Sequence, residues 1–103
     1  MLQAARAERK PVLVDFSAAW CVPCREMERT TFADPAVVHQ AVNFVRLQAD
    51  LTASTARNAA LMKQFNVEGV PTTVFIDARG QVRLNRVGYI GPSEFLTDLK
   101  QTK

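Results

Sequence analysis

The chain has 103 residues, enough for one hydrophobic core and too few for two independent ones. Hydrophobic residues make up 48% and charged residues 22%, the balance of a folding globular domain and not of a disordered or fibrous chain. The net charge of +3 comes from thirteen Lys and Arg spread from Arg6 to Lys103 among ten acids, a dispersal that argues against a nucleic-acid-binding face.

No apolar run approaches the ~20 residues of a membrane helix, so this domain itself is expected not to span a bilayer. Leu2 to Arg9 is rich in Ala, Arg and Glu and predicts a helix that ends at Lys10-Pro11, because a residue before proline disfavours the helical region. Val12 to Phe16 is a short, β-branched, nearly continuous apolar run, the pattern of a strand covered on both faces. Asp15 is its one charge. A loop from Ser17 to Trp20 leads into Cys21, and Cys24 to Thr31 mixes charged residues with Met27 at helical spacing, which sets Cys21 at a helix start.

Asp34-Pro35 predicts an N-cap followed by proline at the first helical position, opening a helix to about Val42. Phe44 to Asp50 alternates as a second strand. Thr52 or Ser54 is suited to cap a helix running to about Phe65, with Leu61, Met62 and Phe65 on one face and Asn66 to Gly69 closing it. Thr72 to Ile76 and Gln81 to Val87, joined by Asp77 to Gly80, predict an antiparallel hairpin. Gly91-Pro92 begins a last helix that turns Phe95, Leu96 and Leu99 to the core. The order implies an α/β fold with a central mixed sheet of about four strands flanked by helices.

Two cysteines are too few for a disulfide-stapled scaffold, and so close a pair closes too small a loop to add much stability. A redox role explains them better. Cys21-Val22-Pro23-Cys24 sets two thiols one helical turn apart, directly after a strand and at a helix start. Cysteines so placed have pKa values lowered to about 3.5–7.5, because first-turn N–H groups and the helix dipole favour the thiolate. Cys21 is the candidate nucleophile and Cys24 the resolving thiol. Other readings stay open. A structural zinc usually has four protein ligands, and beyond these thiols the chain offers only His39 and carboxylates. An inert pair of core cysteines is the plainer alternative. Trp20 reads as a core aromatic or as a flank of the reactive sulfur, and Pro71 as a strand-opening proline that needs no function.

Val12 to Phe16, Trp20-Cys21-Val22-Pro23-Cys24, Gly69-Val70-Pro71-Thr72 and Val87-Gly88 resemble the landmarks of the thioredoxin family, in order and over nearly the whole chain. The resemblance implies a thioredoxin fold over residues 1–103, with the family's N-terminal strand missing. It implies a cis bond before Pro71 and a substrate groove of Trp20, Val22, Pro23, Val70, Pro71 and Gly88. It also implies a redox-active Cys21–Cys24 disulfide with no metal and no organic cofactor.

A closer resemblance, carried by Cys24 to Phe32 with Ala33-Asp34-Pro35 and by Leu47 to Thr52, is to the C-terminal periplasmic domain of the DsbD family of membrane reductant transporters. Pro23 departs from the alanine common there. This resemblance implies a periplasmic domain at the C-terminal end of a longer bacterial inner-membrane protein. Its partners would be the membrane-embedded and N-terminal periplasmic redox domains of that protein, and other disulfide proteins. A free-standing thioredoxin-like reductase, a cytochrome c maturation factor and a redox-inactive binding module that uses the same groove are the rival readings.

Asp15, six residues before Cys21, matches thioredoxin's buried aspartate, and Glu28, seven after it, matches an acid of the DsbD-type domain. The resemblance makes both catalytic acid/base groups for Cys24. The plainer readings are a strand-end aspartate in water and a solvated helix face. If both face the sulfurs, their charges raise the pKa of Cys21 against the pull of the helix N-terminus. His39 reads as an ordinary surface residue.

Overall fold

Strand β1 (Val12–Ser17) forms where the apolar run is densest. Val12, Val14 and Phe16 pack to one side and Leu13 to the other, and Asp15 follows Leu13 by the alternation of a strand. All five are buried. The computed structural model describes residues 10–102, and the helix expected over Leu2 to Arg9 lies outside them. Strand β1 runs parallel to β2 (Val45–Asp50) and antiparallel to β3 (Thr72–Ile76), which pairs antiparallel with β4 (Val82–Val87). Among the described residues the result is one four-stranded mixed sheet in the order β2-β1-β3-β4, as expected.

Among the described residues four helices cover it: α1 (Val22–Arg29), α2 (Pro35–Ala41), α3 (Ala56–Gln64) and α4 (Pro92–Gln101). Asp34 caps α2 as its sequence suggests, its side chain accepting from the Ala36 and Val37 N–H groups. The cap of α3 is Thr55, whose hydroxyl accepts from Asn58 N–H, and not Thr52 or Ser54. Thr52 is engaged elsewhere, with Asp50 and with the Ala19 N–H. At the other end of α3, Asn66 takes a left-handed φ of 59° and Val67 N–H returns to Met62 O at 2.7 Å, a Schellman-type closure. The β3–β4 turn is held by Asp77, which accepts from the Arg79 and Gln81 N–H groups at 2.9 and 3.0 Å, while Gly80 supplies a φ of 91°.

Helix α3 lies on the Val12/Val14/Phe16 face with Leu61, Met62 and Phe65 half-buried against it. On the opposite face Met27, Val37, Phe95 and Leu99 meet Leu13 and Phe75. Leu96 is only half-buried there. The Phe95 ring centroid lies 5.2 Å from that of Phe32 and 5.4 Å from that of Phe75, which locks α4 onto the sheet. Arg86 of β4 reinforces this with a two-pronged pair to the buried carboxylate of Asp98, at 3.1 and 2.9 Å. Phe95→Ala is expected to lower the unfolding free energy by about 3–5 kcal/mol, seen in urea as a lower midpoint at unchanged slope.

Candidate active site

The chain leaves β1 through a loop pinned at two points. Cys21 N–H donates to Ala18 O at 3.1 Å, and Ala19 N–H donates to the Thr52 hydroxyl at 2.8 Å, tying the loop after β1 to the loop after β2. Cys21 is the N-cap of α1: its backbone is extended, and its Sγ accepts the Cys24 N–H at 3.2 Å. A sulfur that accepts a first-turn N–H is one whose negative charge that turn would stabilise. Pro23 sits within the first turn, where a missing N–H removes no intrahelical bond. Helix α1 begins at Val22 with Cys21 as its cap, at the helix start where the sequence sets it.

Cys21 and Cys24 are joined by a disulfide with their Cα atoms 5.3 Å apart, and both are largely buried. They pack with Ala18 against Val70. The Val70–Pro71 bond is cis, as the resemblance implied. Pro71 O accepts the Gly88 N–H at 2.8 Å, which brings Gly88 beside the proline; its φ of 92° is a conformation side-chain-bearing residues rarely adopt. Trp20 is 65% exposed and Val22 64% exposed, so the tryptophan is no core aromatic. Trp20 and Val70 line one groove together with Leu51 and Met62. Pro23 is exposed at the start of α1. The structure thus packs Val70 against the disulfide, with Pro71 next in the chain and Gly88 bonded to Pro71, and Trp20 and Val22 flank Cys21 in the chain.

Beside the disulfide a cleft of about 500 Å³ is lined by Ser17, Ala18, Cys24, Arg25, Glu28 and Asp50, among others. Glu28 therefore shares a cavity with Cys24. Asp15 is not among the lining residues. Its carboxylate is buried and accepts from Arg46 Nη2 at 3.1 Å, and that guanidinium lies 4.2 Å from the centroid of the Phe32 ring. Burial pushes the Asp15 pKa above its ordinary value, against the hydrogen bond and charge of Arg46, and the nearby charge of Glu28 pushes it further up. His39 is exposed on α2.

Arg46 is the residue the sequence reading missed. The signal was there: Val45, Leu47 and Ala49 take one face of β2, so Arg46 takes the face that Asp15 takes in β1. Among the described residues no group of three His, Cys, Asp or Glu is gathered to hold a metal ion. Among the same residues no helix is long and apolar enough to cross a membrane.

A mixed sheet between helices, with a CxxC disulfide at a helix N-terminus packed against a cis-proline loop, defines a thioredoxin-fold disulfide site. Residues 1–103 match the thioredoxin-like domain family, and the chain belongs to it. The thiol:disulfide interchange protein DsbD of Yersinia pestis is 45% identical over 100 residues, which is 95% of this chain and 17% of that protein. That of Ralstonia nicotianae is 45% identical over 101 residues, 97% of this chain and 17% of the relative. The chain thus spans about 17% of the length of these curated relatives. Among solved structures, the oxidised C-terminal domain of Neisseria meningitidis DsbD matches with a TM-score of 0.84 at 28% identity, covering 99% of this chain and 89% of that one. A thioredoxin from Thermus thermophilus matches with a TM-score of 0.82 at 27% identity, covering 97% and 78%.

A carboxyl whose pKa is raised by folding binds its proton more tightly in the folded chain than in the unfolded one. Asp15 therefore favours folding below its ordinary value of 3.8, and that contribution is lost as pH rises through its higher folded value. Asp15→Asn removes the titration. Its stability relative to the wild type is expected to climb across that window and stay highest at neutral pH. Urea unfolding at steps from about pH 4 to about pH 8 measures this, and a pH-independent difference would count against it.

Proposed function

We propose that the domain is a thiol:disulfide oxidoreductase that relays reducing equivalents through Cys21 and Cys24, from a membrane-embedded partner domain to disulfide partners in the periplasm, the N-terminal redox domain of the same protein among them. The observation that carries this reading is the disulfide itself, spanning the first turn of α1 with Cys21 as the cap and the Val70–Pro71 loop against it. The likeness to one segment of DsbD supports the choice of partners and compartment.

In the reduced state the Cys21 thiolate attacks one sulfur of a partner disulfide. The Cys21–partner bond forms, the partner's S–S bond breaks, and the partner's first thiolate departs and takes a proton. Cys24 then loses its proton and attacks Cys21 Sγ, which closes the Cys21–Cys24 disulfide and expels the partner's second thiolate. Two electrons pass to the partner, and a dithiol of the upstream domain returns them by the same steps in reverse. Val70, Pro71 and Gly88 present backbone beside the sulfurs for an extended partner segment, with Trp20, Val22 and Pro23 as its apolar border.

Glu28 is suited to take the Cys24 proton because both line one cleft. Asp15 is the buried second acid, anchored by Arg46 and sensitive to the charge on Glu28. Cys24→Ser is expected to accumulate a mixed disulfide through Cys21 when mixed with a disulfide partner, while Cys21→Ser traps almost none. Intact-mass spectrometry reads both, and equal adduct yields would reverse or remove the assignment.

The same acids oppose the helix N-terminus at the nucleophile. Asp15→Asn and Glu28→Gln are each expected to lower the Cys21 pKa in the reduced domain, and the double variant further, though not additively. Thiolate absorbance against pH is the measurement. Four superimposable titrations would show that the acids serve structure alone.

A further inference from the structure

Among the described residues one buried side-chain polar atom lacks a hydrogen-bond partner: the Oγ1 of Thr73 in β3. Thr73 is fully buried, and an orphaned hydroxyl in such a place carries a desolvation cost that a valine of nearly the same shape would avoid. Its neighbour Thr72 spends its own hydroxyl on Gly69 O at 2.6 Å, so the pair is not interchangeable.

The sheet register says what Thr73 faces. It stands directly opposite Asp15 in β1 and directly opposite Arg86 in β4. Residues opposite each other in an antiparallel pair share a face, with Cβ atoms about 4.5–5.5 Å apart. The hydroxyl is therefore flanked by a buried carboxylate and a guanidinium. Arg86 is committed on both prongs to Asp98 of α4. Arg46 of β2 engages Asp15 through Oδ2, and Oδ1 makes no hydrogen bond among the described residues.

We propose that Thr73 is a positioning residue for Asp15, its hydroxyl donating to the Oδ1 oxygen through one bridging water and so steadying the charged form of the buried acid. The inference rests on Asp15 serving Cys24 as an acid/base group, and it adds a residue to that machinery which no motif marks. The groups that act on Asp15 are then Arg46 from β2, Glu28 from α1 and Thr73 from β3, with Arg86 beyond Thr73 neutralised by Asp98. Two donors oppose burial where one would leave the acid harder to ionise, so Asp15 can both take and return a proton.

The test titrates the Asp15 carboxyl carbon by heteronuclear NMR in the oxidised chain, for the wild type, Thr73→Val and Thr73→Ser. Removing a donor to a carboxylate raises its pKa, so Thr73→Val is expected to move the midpoint up by roughly half a unit or more, and Thr73→Ser to keep the wild-type midpoint. An unmoved midpoint in Thr73→Val overturns the proposal, as does a Thr73→Ser midpoint that matches the valine variant. Insulin reduction by the wild type is scored separately. Its absence would sink the exchange reading, whereas the NMR midpoint judges the Thr73 contact without any turnover.

Discussion

Strand β1 is paired on both edges and buried on both faces, and that position forces the Asp15 carboxylate into the interior just before the chain leaves the sheet for the cysteines. A charge there persists only with a partner, and the sheet supplies one. Arg46 reaches across from β2, and Thr73 stands opposite in β3. The parallel pairing with β2 also brings the two loops that follow the strands together, which lets Thr52 hold Ala19 and fixes the path into Cys21.

From that fixed entry the local chemistry of the helix start takes over. Cys21 caps α1 with its own sulfur, so the atom that carries the reactivity also begins the helix whose first turn favours its charge. Glu28 lies on the same helix and opens onto the cleft of Cys24, and its charge is felt at Asp15. Cys21 thus stands at a helix terminus that favours its charge, while Arg46 holds Asp15 in an ion pair.

The opposite wall is rigid for reasons of its own. Gly88 N–H bonds Pro71 O, Tyr89 and Thr30 share a hydroxyl–hydroxyl contact at 2.8 Å, and the buried Thr31 hydroxyl donates to Ile90 O. The loop carrying Gly88 is therefore stitched both to the proline loop and to the C-terminal end of α1. Trp20 and Val22 stand exposed on either side of Cys21 in the chain.

The strand, cap and turn signals of this chain were legible in the sequence because each depends on residues a few positions apart: Val12 to Phe16 as a doubly covered strand, Asp34-Pro35 as a helix start, Asp77 to Gly80 as a hairpin turn, Cys21 at the head of a helix. The choice among near-equivalent caps was not, since Thr52, Ser54 and Thr55 all offer an oxygen. The bond from Ala19 to Thr52, across 33 residues, shows where the Thr52 hydroxyl is spent, and Thr55 is the one that accepts from Asn58 N–H. Trp20 was ambiguous for the same reason, its exposure depending on what folds over it. The Asp15–Arg46 pair is separated by 31 residues, and Thr73 meets Asp15 across 58 positions through the strand register alone. Local propensity and spacing therefore determined where the sulfurs stand on their helix. Which charges and hydroxyls surround them was decided by strand pairing, because pairing alone brings distant side chains to one face.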